Sequence, residues 1–102
     1  MCHVFAGQDP TRYAQVSRSV RIGGHSTSIR LEAAFWALID EIAAAEGFST
    51  PKFLSALHDE ALELNGGISN FASMLRTTCL LHLQGAARSR REAAAAFGTA
   101  AE

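Results

Sequence analysis

A single alternating strand that runs straight into two amphipathic helices is the feature that most restricts the fold of this chain. The stretch is SIRLEAAFWALIDEIAAAEGFSTPKFL, residues 28–54. Apolar and polar side chains alternate over residues 26–31, which predicts one buried and one solvent-facing side. A strand with two such faces needs a partner strand. Since 102 residues leave little room for a private core, we expect the partner to be the same strand of a second copy, antiparallel across a two-fold axis.

Two helices are predicted to follow the strand. Apolar residues recur at helical spacing over residues 35–42, and Gly47 stands where a residue in the left-handed conformation commonly ends a helix. The second helix is expected to begin at a cap formed by Ser49 or Thr50, with Pro51 in its first turn. The two helices therefore meet at a short turn.

A third helix is expected after the break at residues 65–67, capped by Ser69 and ending at about Leu83. Helices from two copies would cover the apolar side of the ribbon and form one joint core. A single chain is therefore expected to have no stable folded state outside the dimer. The residues predicted to form this shared core are Leu38, Ile42, Leu54, Leu57 and Leu64, with Ala61 between the last two.

We divide the chain into an N-terminal arm (residues 1–17), a central domain (residues 18–83) and an Ala-rich basic tail (residues 84–102) that is partly disordered. One alternative stays open within the central domain. The run SVRI, residues 19–22, is separated from TSIRL, residues 27–31, by two glycines that suit a hairpin turn. If the two runs pair, a dimer joined strand to strand has a four-stranded sheet that is too wide for a DNA groove.

Charge and cysteine content bear on the class of partner and on the location. The first 31 residues carry four arginines and one aspartate, whereas residues 32–64 carry seven acidic residues and one lysine. The basic part therefore coincides with the strand segment, although the net charge of the chain is −1. No secretion signal or membrane-spanning run is recognised, and two unspaced cysteines suit a reducing compartment, so we expect a cytoplasmic protein.

Residues 26–65 resemble a ribbon-helix-helix domain in the strand TSIRLE, the Phe35-Trp36 pair and the turn EGFST. The longer pattern GHSTSIRLExxFW with the trailing helix SNFASMLR is similar to a sub-family, common in alphaproteobacteria, that adds a third helix. The resemblance covers about residues 18–83. It implies a mainly α fold with a short β-ribbon, an intertwined homodimer with an added C-terminal helix, and a sequence-specific bacterial transcription regulator.

The same resemblance implies which residues contact double-stranded DNA. A two-stranded ribbon fits the major groove, and its polar side would read bases through Ser26, Ser28 and Arg30. The start of the second helix would hold a phosphate through free N–H groups and the helix dipole. The phosphate-binding positions implied are Ser49, Thr50 and Lys52.

Other reactive residue types do not assemble into a recognisable site. Cys79 and His82 lie three residues apart on a predicted helix, which is half of a metal site, and no second pair completes it. The run His58-Asp59-Glu60 lacks a nucleophile and a glycine-rich loop beside it. We therefore expect no metal, no cofactor and no enzymatic activity.

A second functional hypothesis uses the same fold without DNA. In it the chain is a dimeric interaction module, similar to an antitoxin or an adaptor, that binds a protein partner through residues 69–102. Pairing of residues 18–22 with the following strand would favour this hypothesis, because it decides whether the ribbon of the dimer is narrow enough for the major groove.

Overall fold

The computed structural model describes residues 2–101, and the side chains of residues 2–96. A short 3₁₀ helix, Pro10–Tyr13, separates the first helix from the strands. The other elements, in chain order, are α1 (Cys2–Ala6), β1 (Gln15–Ile22), β2 (His25–Glu32), α2 (Ala33–Ala45), α3 (Thr50–Asn65) and α4 (Phe71–Ala101).

The two strands form an antiparallel hairpin within one chain. Gly23 and Gly24 have φ values of +59° and +81°, and this pair of left-handed residues makes the two-residue turn that places Ile22 opposite His25. The ladder continues past the strands, where the Ala33 N–H donates to the Ala14 carbonyl oxygen at 2.9 Å. The expectation that the strand finds its partner only in a second copy is therefore wrong.

The inner side of the hairpin is covered by helices of the same chain. Leu31 of β2 and Ile39 of α2 are fully buried, together with Leu54 of α3 and Leu75 of α4. The aromatic ring of Trp36 fills the space between α2 and the hairpin and is 2% exposed. A core of this kind is built by one chain, because β1 and α4 supply apolar surface that the sequence prediction assigned to a partner.

The core prediction for α3 is partly wrong. Leu54 and Ala61 are buried, but Leu57 is only half-buried and Leu64 is 83% exposed. Leu54 and Ala61 are seven residues apart and lie on one line of the helix, whereas Leu57 and Leu64 lie on a neighbouring line. On α2, Ile42 is buried and Leu38 is half-buried.

The ends of α2 and α3 agree with the sequence prediction. Gly47 has a φ of +80° just after α2, and the Phe48 N–H there donates to the Ala43 carbonyl oxygen at 2.9 Å. Ser49 is the N-cap of α3, and Gly66 (φ +73°) is its C-cap.

The third long helix differs from the prediction in its cap and its length. The Asn70 side chain, and not Ser69, caps α4 by accepting a hydrogen bond from the Ser73 N–H at 3.0 Å. The helix continues beyond Leu83 to Ala101, and the described chain is elongated, 56 × 34 × 23 Å. No helix in the described part of the chain is both long enough and apolar enough to cross a membrane.

Truncation of Leu54 tests the position of the core, with Leu64 on the same helix as its control. Leu54→Ala should lower the free energy of unfolding by about 2–5 kcal/mol, because it leaves a cavity in a fully buried site. Leu64→Ala should change it by about 0.5 kcal/mol or less, because the side chain is exposed. Urea unfolding followed by circular dichroism measures both, and equal effects of the two changes would contradict the position of the core.

Candidate nucleic-acid interface

The outer face of the hairpin is a polar surface made by both strands. The strand register places Arg21 opposite Ser26, Ser19 opposite Ser28 and Ser17 opposite Arg30. Directly opposite residues share one side of a sheet, and all six are exposed. We call these residues the outer face: Ser17, Ser19, Arg21, Ser26, Ser28 and Arg30.

The predicted base-reading residues of β2 thus lie together on one surface, and a single chain supplies both strands of it, where one strand per chain was expected. The sequence prediction missed the contribution of β1, above all Arg21. The signal was present in the two glycines, because a two-residue turn after Ile22 determines which residues of β1 share a side with Ser26. The outer face of one chain therefore carries two guanidinium groups, where the sequence prediction assigned one arginine to each chain.

The spacing of the two arginines follows from the strand geometry. Arg21 and Arg30 project from different strands, and their cross-strand pairs are four positions apart along the hairpin. At about 3.4 Å per residue this separation is about 14 Å. Neither arginine forms an ion pair within the described residues, so both guanidinium groups can bind an external acceptor.

The carboxylate at the end of β2 is neutralised within the chain. Glu32 accepts a hydrogen bond from the Arg76 Nε at 2.9 Å and a second one from the Gln15 amide at 3.2 Å. The Arg76 guanidinium is the main reason that the pKa of Glu32 is lowered. Since Glu32 is the sole acidic residue of the two strands, the outer face keeps a net positive charge.

Arg18 lies on the inner side of β1 and has a structural role. Its guanidinium donates to both carboxylate oxygens of Asp40 on α2, at 2.8 and 3.0 Å, and lies 4.5 Å from the centre of the Trp36 ring. The indole N–H of Trp36 donates to the Val16 carbonyl oxygen at 2.8 Å. We call Arg18, Trp36 and Asp40 the clamp, because they fasten α2 to β1.

The clamp also reaches the start of α3, where the phosphate site was predicted. The Thr50 hydroxyl donates to Asp40 at 2.7 Å, and the Ser49 hydroxyl accepts from the Lys52 N–H at 3.4 Å. Pro51 has no N–H to offer. The side chain of Lys52 is exposed, so the charge that remains available to a phosphate at this helix start is its ammonium group.

The other residues considered in the sequence do not form a site. Cys79 is fully buried, and this burial raises the pKa of its thiol, while the neighbouring His82 is exposed. His58 is half-buried and packs edge-on against Phe71, with ring centres 5.4 Å apart. In the part of the chain that the structure describes, no three potential metal ligands come together.

Comparisons with known proteins match the strands and helices that carry this surface. A ribbon-helix-helix domain model matches residues 15–83. A solved structure of an uncharacterized protein from Bordetella pertussis Tohama I is similar at 37% identity over 88% of this chain and 72% of that chain, with a TM-score of 0.85. The comparison with curated proteins finds no match.

Because the clamp contains the charged side chain of Asp40, its contribution to the stability of the fold should depend on pH, and Asp40→Asn should remove this contribution. Arg18 lowers the pKa of Asp40 below its usual 3.8, and the Thr50 hydroxyl adds to this effect. The clamp therefore stabilises the fold fully at pH values above the pKa that Asp40 has in the unfolded chain. This stabilisation is lost as pH falls through the lower pKa that Asp40 has in the folded chain. Because both side chains are about two-fifths exposed, Asp40→Asn should cost about 1 kcal/mol at pH 7.

Urea titrations at a series of pH values from 7 down to about 2.5 measure this difference. The wild type and Asp40→Asn should converge in stability as Asp40 becomes protonated. Glu41→Gln is the control, because Glu41 is an exposed neighbour with no ion pair among the described residues. A constant difference between wild type and Asp40→Asn at all pH values would show that the charge of Asp40 is not what stabilises the fold.

Proposed function

The chain belongs to the ribbon-helix-helix domain family over residues 15–83, and from this premise we propose that it is a dimeric, sequence-specific DNA-binding regulator of transcription. The fold is of the regulator type, and members of the family usually form dimers and bind DNA. The single observation that carries the proposal is the outer face, an exposed hydroxyl-rich surface with two arginines that have no acidic partner among the described residues.

The dimensions of the hairpin support entry into the major groove. Two strands lie about 4.8 Å apart, and the groove is about 12 Å wide and admits a two-stranded ribbon. Arg21 and Arg30 are the two side chains of the outer face able to make bidentate contacts with guanine, and the serines donate to or accept from neighbouring bases. With a base-pair rise of about 3.4 Å, the two arginines address positions about four base pairs apart.

The proposal requires that the two copies join away from the strand edges. Adding β2 of a second copy to β2 would make a four-stranded sheet, whose outermost strands lie about 14 Å apart. Such a sheet is wider than the groove even before its side chains are counted. We therefore propose that the dimer is held by helices and that each copy presents its own hairpin to one half of a palindromic site.

Contacts to the DNA backbone are proposed at the start of α3. The exposed Lys52 ammonium would neutralise one phosphate, while Ser49 and Thr50 position the helix start through their own hydrogen bonds. The net charge of −1 makes non-specific attraction weak. Detectable binding should therefore depend on a matched sequence.

A second candidate function is favoured by one observation. Residues 18–22 are paired within the chain, and the outer edges of β1 and β2 both offer backbone groups to another strand. If a second copy pairs there, the chain is a dimeric interaction module that binds a protein partner through residues 69–102, and the outer face does not read DNA.

We propose no enzymatic role, because members of this family are typically regulators without catalytic activity. A bacterial cytoplasm is the proposed location. Cys2 and Cys79 are both free thiols, which suits a reducing compartment.

Selection of binding sites from random double-stranded DNA, followed by titration at fixed salt, tests the proposal. Arg21→Ala and Arg30→Ala should each weaken binding to the selected site by about 1–3 kcal/mol and relax the preference at one symmetric pair of positions. Those positions should lie about four base pairs apart within each half-site. Lys52→Ala should weaken binding to all sequences alike. It should also reduce the slope of the logarithm of affinity against the logarithm of salt concentration by about one.

Arg12→Ala is the matched control, since it removes one exposed arginine that lies outside the outer face. It should leave the sequence preference unchanged. Wild-type affinity in both the Arg21 and the Arg30 variants would exclude the hairpin as the reader. If selection enriches no sequence at all, the interaction-module function takes its place.

A further inference from the structure

An open, positively charged hollow lies on the part of α4 that follows its last buried residue, Cys79. Its volume is about 340 Å³. The residues that line it include no carboxylate, so every charge around it is positive. They are Leu81, Gln84, Gly85, Arg88 and Arg91. We call this surface the α4 hollow.

Helical spacing explains why these residues lie together. Gln84, Arg88 and Arg91 are four and three residues apart, which places them on the same side of a helix. Gly85 has no side chain, and outside the helix's own backbone and the adjoining residues no atom lies within 4 Å of where its Cβ would stand. The glycine therefore leaves space between the longer side chains. Arg90 lies on another side of α4 and does not line the hollow.

The two guanidinium groups of the α4 hollow are available to an external anion. Arg88 and Arg91 are exposed and form no ion pair within the described residues. Glu92 is the sole acidic residue of α4, and it too forms no ion pair there. A guanidinium can donate two parallel N–H groups to a phosphate, and the Gln84 amide adds a further donor. This set of donors suits a phosphate group.

The exposure of the hollow favours a phosphate that belongs to a polymer. Its lining residues are exposed apart from Gly85, which is half-buried. Exposed ion pairs stabilise a complex only weakly, so a single free phosphate would gain little here. The backbone of DNA offers many phosphates close together, and binding to it is strengthened by the release of counterions.

The start of α4 is fixed to the hairpin that is proposed to read DNA. Arg76 donates to Glu32 at the end of β2, two residues after Arg30 of the outer face. Arg88 follows Arg76 by twelve residues, which is about 18 Å along a helix. With two more residues of strand, the path from Arg30 to Arg88 is about 25 Å long, or about seven base-pair steps.

We infer that the α4 hollow binds a backbone phosphate of the DNA that flanks the positions read by the hairpin, within about seven base pairs of them. The inference rests on the proposed DNA-binding function and adds a second contact to it. Residues 33–65 carry six acidic residues and one lysine, so α2 and α3 repel DNA. The α4 hollow supplies positive charge outside this acidic part of the chain.

Titration of the full chain with a duplex of mixed sequence, about 30 base pairs long, tests the hollow without any sequence preference. Arg88→Ala and Arg91→Ala should each weaken binding about three- to tenfold at low salt, because each removes one phosphate contact. Each should also reduce the slope of the logarithm of affinity against the logarithm of salt concentration by about one. Circular dichroism should show the same helix content in all variants.

Arg90→Ala is the matched control, since it removes the same charge from α4 outside the hollow. It should change the affinity by less than about twofold. Binding as tight as that of the wild type in both the Arg88 and the Arg91 variants would overturn the inference. An equal loss in the Arg90 variant would also overturn it, because the effect would then come from net charge alone.

A selected site separates this contact from the reading of bases. With flanks of about ten base pairs, Arg88→Ala should weaken binding and leave the sequence preference unchanged. Without the flanks, the wild type and Arg88→Ala should bind equally. If Arg88→Ala weakens binding to mixed DNA and selection enriches no sequence, the hollow stands and the sequence-specific function falls. A wild type that binds no duplex would overturn both.

Inorganic phosphate is the probe for the other source of a phosphate group. At equal ionic strength, phosphate and chloride should inhibit DNA binding by the wild type to the same extent, because the hollow holds a free phosphate only weakly. Stronger inhibition by phosphate, abolished by Arg88→Ala, would show that the hollow takes a free phosphate and would overturn its assignment to DNA.

Discussion

The two-residue turn at Gly23 and Gly24 determines most of what this chain can do. Two consecutive residues with positive φ let β1 turn back on β2 at once, so the strand that needs a partner finds it within the same chain. This pairing brings Val20 and Ile22 to the inner side of the sheet, beside Ile29 and Leu31. A single chain then has enough apolar surface to build a core with its three long helices.

The same register separates the arginines of β1 by function. Arg18 faces inward, where the clamp with Trp36 and Asp40 fastens α2 to the hairpin and reaches the start of α3 through Thr50. Arg21 lies three residues later, so it faces the opposite side and joins Arg30 on the outer face. One strand thus supplies both the charge that stabilises the fold and a charge that is available to a ligand.

Local patterns predicted the elements well, and long-range pairing was harder to predict. The alternation of residues 26–31, the glycine after α2 and the cap at Ser49 each act over a few residues, and the structure has the corresponding features. The exposure of Leu64 was not predictable in this way, because helical spacing alone does not determine which turns of α3 are covered by other elements. The phosphate site at Ser49, Thr50 and Lys52 and the base-reading role of Arg30 stay predictions.

The central claim is that each chain supplies a complete two-stranded ribbon whose outer edges are free. Amide hydrogen exchange of the protein in the absence of DNA tests it most directly. In this register the N–H groups of Ser26, Ser28 and Arg30 point away from β1. They should exchange quickly, while the N–H groups of Thr27 and Ile29, which face β1, should be protected. Protection of Ser26, Ser28 and Arg30 as well would mean that a second copy pairs along β2, and it would contradict the account.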